Sequence, residues 1–408
     1  MRLWLLLFLA GLPAAAQAQD RRPAVSGDRP VAASGFQVSV FARGVGSIEA
    51  MAVHRPSGDV LALDRARGRV LRLRDRNKDG ISEIKSTWLS GFDRPSGIAV
   101  GDDRIFIADA RGVWHAPSGG GLTARAPAVL LADMTKVKTA PMPRPLALLD
   151  DGKTLLVGLS ALSARDEEPA PAASVIAVDT HTGRASVYAS GLRSVTALSV
   201  SKDGKVAALV DESPPAADYV ALIEKGGFYG WPYAYGSQTP VAGLARRDPY
   251  KVATMRAPLF TLNDKNAGTA LLMPWSSAGG GPGAGDITLI AGERSLNILL
   301  YNPATAMLGE EEASPDEMLS GFGSSRGAIW GEPSALVYDG FGGLLVGDRF
   351  AQTVWRVSGY TPKIAPLPPV EAEPDLTPDV LKDPTPDVKK PLKFRSQTGG
   401  ARPVGEDR

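Results

Sequence analysis

Between Gly35 and Gly359 the apolar residues fall into short runs, and the runs come in pairs. A small residue opens the first run, a Gly or Asp-Gly turn follows, and the second run ends on a small or acidic residue. The pairs are 50–53 with 60–64, 97–100 with 105–109, 146–149 with 155–158, 197–200 with 206–211 and 335–338 with 344–348; a weaker pair joins 270–273 to 287–291. Runs this short, bounded by Gly, Pro and Asp, predict strands rather than helices. The early pairs recur at roughly 50 residues, the period of a four-stranded propeller blade. Further runs such as 68–73 and 352–357 supply the third and fourth strands. Six copies predict an all-β chain, a six-bladed β-propeller with four-stranded antiparallel blades over 35–360. A generic β-sandwich array is the competing architecture.

Composition supports this reading, since 45 Gly and 33 Pro among 408 residues demand many turns. Charge is nearly balanced, 45 Lys+Arg against 44 Asp+Glu, which gives no electrostatic reason to expect nucleic acid or an anionic membrane surface. Residues 1–18 read as a signal peptide: Arg2, then an apolar core from Leu3 to Leu12, then Ala16-Gln17-Ala18. The core is short for a bilayer span, and a retained anchor is the alternative. With no cysteine, neither a disulfide framework nor a lipidated Cys is available. The expected product is periplasmic or secreted, without a membrane span in the mature chain. Residues 19–34 form a flexible lead-in. Residues 361–408, dense in Pro and charge, form a disordered tail. The glycine-rich 279–285 lacks the Lys-Ser/Thr ending of a phosphate cradle and reads as a turn.

The clearest metal candidate is Asp75-Arg76-Asn77-Lys78-Asp79-Gly80-Ile81-Ser82-Glu83. Oxygen side chains alternate through Asp75, Asn77 and Asp79, Gly80 allows a sharp turn, and the Ile81 carbonyl and Glu83 carboxylate complete a calcium-type set. The glutamate of a full EF-hand would fall at Ser86, so the motif fits a calcium-stapled hairpin, or equally a metal-free one. The three histidines, His54, His115 and His181, lie in turns or at a strand end and read as surface residues. No Ser/His/Asp nucleophile signature stands out.

The densest stretch is Gly226 to Gly236, Gly-Gly-Phe-Tyr-Gly-Trp-Pro-Tyr-Ala-Tyr-Gly, with five aromatics and four glycines. It suits a packed loop that plugs the domain. It also resembles the Gly-Gly-x-Tyr-Gly-Trp-Pro segment of the pyrroloquinoline quinone (PQQ)-dependent soluble glucose dehydrogenase and sorbosone dehydrogenase family, a likeness extending from Phe36 to Gly359. The resemblance implies a propeller holding PQQ and calcium on its top face, with a sugar or aldehyde as substrate and a periplasmic electron acceptor. It matches the family's catalytic arginine to Arg193 in Gly191-Leu192-Arg193-Ser194-Val195, and its two calcium-binding backbone carbonyls, which help hold the cofactor, to Ser213 and Pro214. The general base is not found: the expected histidine falls near Pro141. The family's Trp-Gly-Arg-Pro becomes Trp330-Gly331-Glu332-Pro333, which leaves Arg294 and Arg326 as cations to offset Glu332. Two functions stay open: a quinone-dependent sugar or aldehyde dehydrogenase with rearranged residues, or a catalytically degenerate propeller that binds carbohydrate or protein.

Overall fold

The computed structural model describes residues 28–359 except 120, 141–142, 202, 213–215, 237, 263–267, 273–287, 293–296, 302–315 and 324–327. The expected signal peptide, most of the lead-in, the glycine-rich turn, the tail, and Ser213, Pro214, Arg294 and Arg326 lie outside the described residues.

The paired runs form antiparallel sheets; four are built from consecutive strands, and in the other two an N-terminal strand joins strands from the end of the chain. Their first strands are Ile48–His54, Gly97–Val100, Leu146–Leu148, Ser194–Val200, Gly268–Leu272 and Pro333–Tyr338, and they open blades 1 to 6. Each of these strands touches the next, and the last returns to Ile48–His54, closing a ring around an axial channel. The alternation noticed in the sequence follows from this geometry. In Ser194–Val200 every second residue is buried, because one face lines the channel side. The second strands, such as Asp59–Asp64 and Leu344–Asp348, are buried throughout, because they have a strand on either edge and a blade on either face.

The expected set of six equal four-stranded blades is corrected in one respect. Among the described residues five sheets have four strands, and the remaining sheet, blade 5, has five. The extra strand is Val31–Ala32, which pairs with Leu319 and Ser320. Strand pairing therefore begins before Gly35, inside the stretch read as lead-in. The next strand, Gln37–Arg43, is the outer strand of blade 6 and pairs with Thr353–Ser358. The N-terminal segment thus edges two blades before the chain enters blade 1. A two-residue strand carries no periodicity, so the pattern could not announce it.

Separate apolar clusters fill the seams between blades. Phe106, Val113, Leu155 and Ile176 join blades 2 and 3, and Leu156, Val175, Val210 and Tyr219 join blades 3 and 4. Trp330 and Trp355 stack edge-to-face at 6.2 Å beside Met318 and Leu319, joining blades 5 and 6. One short α-helix, Pro249–Thr254, lies between the third and fourth strands of blade 4 and is capped by Asp248. No helix among the described residues is long and apolar enough to cross a membrane.

Candidate functional site at the channel rim

The second strand of a blade runs toward the rim where the first strands begin, and it tends to end on aspartate. Asp64, Asp109 and Asp348 are each fully buried there. Each accepts a backbone N–H from the loop that enters the blade: Ser47 to Asp64 at 3.1 Å, Asp93 to Asp109 at 2.9 Å, Glu332 to Asp348 at 2.8 Å. These carboxylates tie the loop to the hairpin. Asp109 also takes N–H groups of Arg111, Gly112 and Trp114. Burial would push its pKa up, but the bonds from Asp93 and Trp114 hold it below the usual carboxylate range.

Blade 4 breaks the pattern. Asp211 binds the guanidinium of Arg193 at 3.0 Å, and the two side chains stay 30% and 21% exposed, open to the rim. Arg193 also donates to the Asp211 carbonyl at 3.0 Å. Its Nε is buried and has no hydrogen-bond partner among the described residues. Glu212 follows, 5% exposed, with Oε1 likewise unpartnered. Burial raises its pKa to about 8; Arg193 opposes the rise, while Asp218 and Asp211 reinforce it. Tyr219 is wholly buried with an unpartnered hydroxyl, and burial and Glu212 push its pKa well up.

The aromatic-glycine block supports this corner. Its backbone lies along the outer strand of blade 3: Tyr229 N–H donates to Ser190 O and Trp231 N–H to Gly191 O, at 2.9 and 3.0 Å. Gly191 has φ +75°, and a Cβ there would lie 2.6 Å from the Phe228 ring, so the turn into Arg193 needs glycine. Trp231 is 6% exposed, and its indole N–H caps the Ala164 carbonyl at 3.0 Å. At the far end of the block, Gly236 donates its N–H to Glu212, and its Cα packs on the Tyr219 ring. The block is thus a packed plug that braces the turn leading into Arg193.

Arg144 sits on the same rim in blade 3. It is 2% exposed, donates through Nη1 to the Asp109 carbonyl at 3.2 Å, and has an unpartnered Nε. Glu332, the residue in place of the family's arginine, is not a bare charge. Arg349 pairs with it at 3.1 Å and with Glu49 at 3.3 Å, and Glu49 pairs with Arg65 at 3.0 Å. The channel holds a cavity of about 110 Å³ whose polar lining includes Glu49, Ser96, Thr196 and Ser334. A larger cavity of about 380 Å³, between blades 1 and 2 around Trp88, Phe92 and Trp114, contains none of the expected site residues.

The calcium-type loop is assembled locally but stands at the other end of the ring. Ligand oxygens of Asp75, Asp79 and Glu83 lie within 4.8 Å of one another. Asn77 bonds Asp79, Asp75 receives the Gly80 N–H, and Asp79 receives the Ile81 N–H, so the loop is wound around its carboxylates. One Asp75 oxygen is buried without a hydrogen-bond partner. Gly80 has φ +89° and lies against Arg356, Ser82 N–H bonds Phe41 O, and Lys78 stands over the Phe341 ring at 5.2 Å. The loop thus leans on blade 6 across the seam closed by the N-terminal strand, and it does not join Arg193.

The histidines need one correction. His54 is not a surface residue: it is 1% exposed, bonded to Ser57 and Ser118 and packed on the buried Arg72–Asp59 pair. None of the three stands at the rim. His54 ends a first strand, His181 lies in the turn after Ser174–Asp179, and His115 is inside the third strand of blade 2.

Sequence comparison finds no matching protein-family model and no matching curated protein. The holo pyranose dehydrogenase PQQ domain from Coprinopsis cinerea superposes with TM-score 0.65 at 15% identity, over 81% of this chain and 97% of that one. The family AA12 carbohydrate-active enzyme from Trichoderma reesei gives 0.65 at 14%, over 83% and 100%. The apo soluble aldose sugar dehydrogenase from Escherichia coli gives 0.58 at 14%, over 79% and 99%. At such identities the comparison establishes the fold: this chain has the propeller architecture of the PQQ-dependent sugar dehydrogenases.

Proposed function

We propose that the protein is an exported, PQQ-dependent sugar or aldehyde dehydrogenase-like propeller that passes electrons to a periplasmic acceptor. The observation that carries this reading is the pair of buried, unpartnered guanidinium N–H groups of Arg144 and Arg193 on adjacent blades at the rim. Buried donors without partners are costly, and a polyoxygenated anionic cofactor supplies their acceptors. The donor chemistry fits PQQ, because the acid at Glu332 is already neutralised by Arg349. When bound, PQQ supplies the two-electron acceptor for the substrate. Arg144 suits a carboxylate, and Arg193 suits an oxygen of the quinone or substrate. Ser213, Pro214 and Arg294 are the further positions expected to hold the cofactor. The Asp75–Glu83 loop is proposed to take calcium as a staple between blades 1 and 6.

The second reading, a propeller that kept the scaffold and binds carbohydrate or protein, is favoured by the absence of any of the three histidines from the rim. One experiment separates the two. Purified protein is titrated with PQQ and calcium, then assayed for dye reduction with aldoses and aldehydes. Saturable binding with turnover supports the dehydrogenase. No binding at high micromolar PQQ removes it, and sugar binding without turnover supports the binding module.

A further inference from the structure

We propose that the trough between blades 1 and 2 is a docking groove for the proline-rich end of this same chain. The proposal is independent of the sugar reading above and goes beyond it. The groove is the cavity of about 380 Å³ that holds none of the expected site residues. Trp88 reaches it from the outer strand of blade 1, Ile84–Ser90, Phe92 from the loop that follows, and Trp114 from the third strand of blade 2, Gly112–Pro117. Phe92 meets Trp114 edge-to-face at 6.3 Å. Ala124, Ala126 and Pro127 form the facing wall. That wall is fixed, because Ala124 N–H donates to Trp88 O at 3.1 Å and Ser86 Oγ to Leu122 O at 2.7 Å.

Arg111 also lines the groove, with its guanidinium 4.8 Å from the Trp114 ring centre. Its Nε and Nη2 are bonded to Asp109 and to Gly91 O, while Nη1 has no hydrogen bond among the described residues. The side chain is 42% exposed, so that edge is open to a ligand. Exposed Arg125 lies between Ala124 and Ala126 in the facing wall. Aromatic rings along a groove suit proline rings in an extended polyproline helix, and a guanidinium edge suits a carboxylate. The occupant is therefore proline-rich and acidic.

The chain contains such a segment. Residues 361–408 lie outside the described residues. Within them a Pro-Asp-aliphatic unit occurs three times: Pro374-Asp375-Leu376, Pro378-Asp379-Val380 and Pro386-Asp387-Val388. From 371 to 387 six acids stand against one lysine. Each unit brings an apolar pair for the rings and a carboxylate for Arg111. The tether starts close by, because the last described strand, Thr353–Ser358, belongs to blade 6, next to blade 1. At about 3.1 Å per residue, residues 360–373 reach about 43 Å, and packed sheets lie about 10 Å apart, so the seam beyond blade 1 is within range. Three copies on one tether raise the local concentration of the unit.

The test uses the full-length protein and its lack of cysteine. A single cysteine is introduced by Thr377→Cys, between the first two units, or by Ser396→Cys, beyond the last, and labelled with bimane, which tryptophan quenches on contact. A tether at millimolar effective concentration keeps a site of sub-millimolar affinity mostly filled, so emission from position 377 is expected to be about fivefold below that from position 396. Ala126→Glu, which sets an acid in the wall without touching the Asp109 joint, should restore the emission. So should Asp375→Asn, Asp379→Asn and Asp387→Asn together, and these tail changes keep the test decisive if the groove variant does not fold. Equal emission from the two positions overturns the proposal, as does quenching that survives either set of substitutions. Quenching that fades on dilution assigns the segment to a second copy and overturns docking within one chain.

Discussion

Asp109 and Asp211 occupy the same place in their blades and do different work. Asp109 is fully buried and saturated by N–H groups from Asp93, Arg111, Gly112 and Trp114. Asp211 is part-exposed and gives its carboxylate to a single arginine side chain. The first is a joint of the fold. The second, with Glu212 beside it, is a place where the fold has left polar capacity unspent. A repeat architecture makes such a departure readable, because the other blades show what the position does when nothing but stability is asked of it.

The sharpest way to break this contrast is Asp109→Ala. Stripping several buried donors of one acceptor is expected to cost about 3–5 kcal/mol in urea denaturation, whereas Asp211→Ala should cost under about 1 kcal/mol. Equal costs would end the comparison.

Next in size is a pH effect at Glu212. The folded protein holds this proton up to about pH 8, while the free glutamate value is 4.5. Folding therefore takes up a proton across that window, and stability falls as pH rises from about 4.5 to about 8. The loss is on the order of a few kcal/mol, and Glu212→Gln should flatten it in denaturation series at successive pH values. An unchanged slope would place Glu212 in water.

Calcium comes third. If the Asp75–Glu83 loop binds at the affinity of extracellular sites, millimolar calcium should stabilise by about 1 kcal/mol, a shift of a few degrees reversed by chelator. Asp79→Asn should abolish the shift. The smallest stability effect is expected for Arg193→Met, within about 1 kcal/mol, although the same change should remove most PQQ binding measured by absorbance. Intact PQQ binding in this variant would remove Arg193 from the site.

The ring was legible because strand pairs and Asp-Gly turns are local, repeated signals, and the strands follow the apolar runs closely. Arg193 was reached through the resemblance, and the loop at Asp75 through its alternating oxygens. Glu212 was missed. Two acids in a row at a strand end look like a solvated pair, and what buries Glu212 is Gly236 and its neighbours, more than twenty residues on. One local hint existed: Asp64 and Asp348 are followed by arginine, but Asp211 is followed by glutamate. The burial of His54 had no such hint, since it depends on Arg72 and Ser118 from elsewhere in the chain.

The double edge formed by Val31–Ala32 and Gln37–Arg43 sets an order of events during synthesis. These strands are among the first described residues to leave the ribosome, yet their partners, Asp316–Ser320 and Thr353–Ser358, come about three hundred residues later. Blades 1 to 4 hold their own strands and can form as they emerge. Val31–Ala32 and Gln37–Arg43 must wait, with exposed strand edges, until blades 5 and 6 have been made.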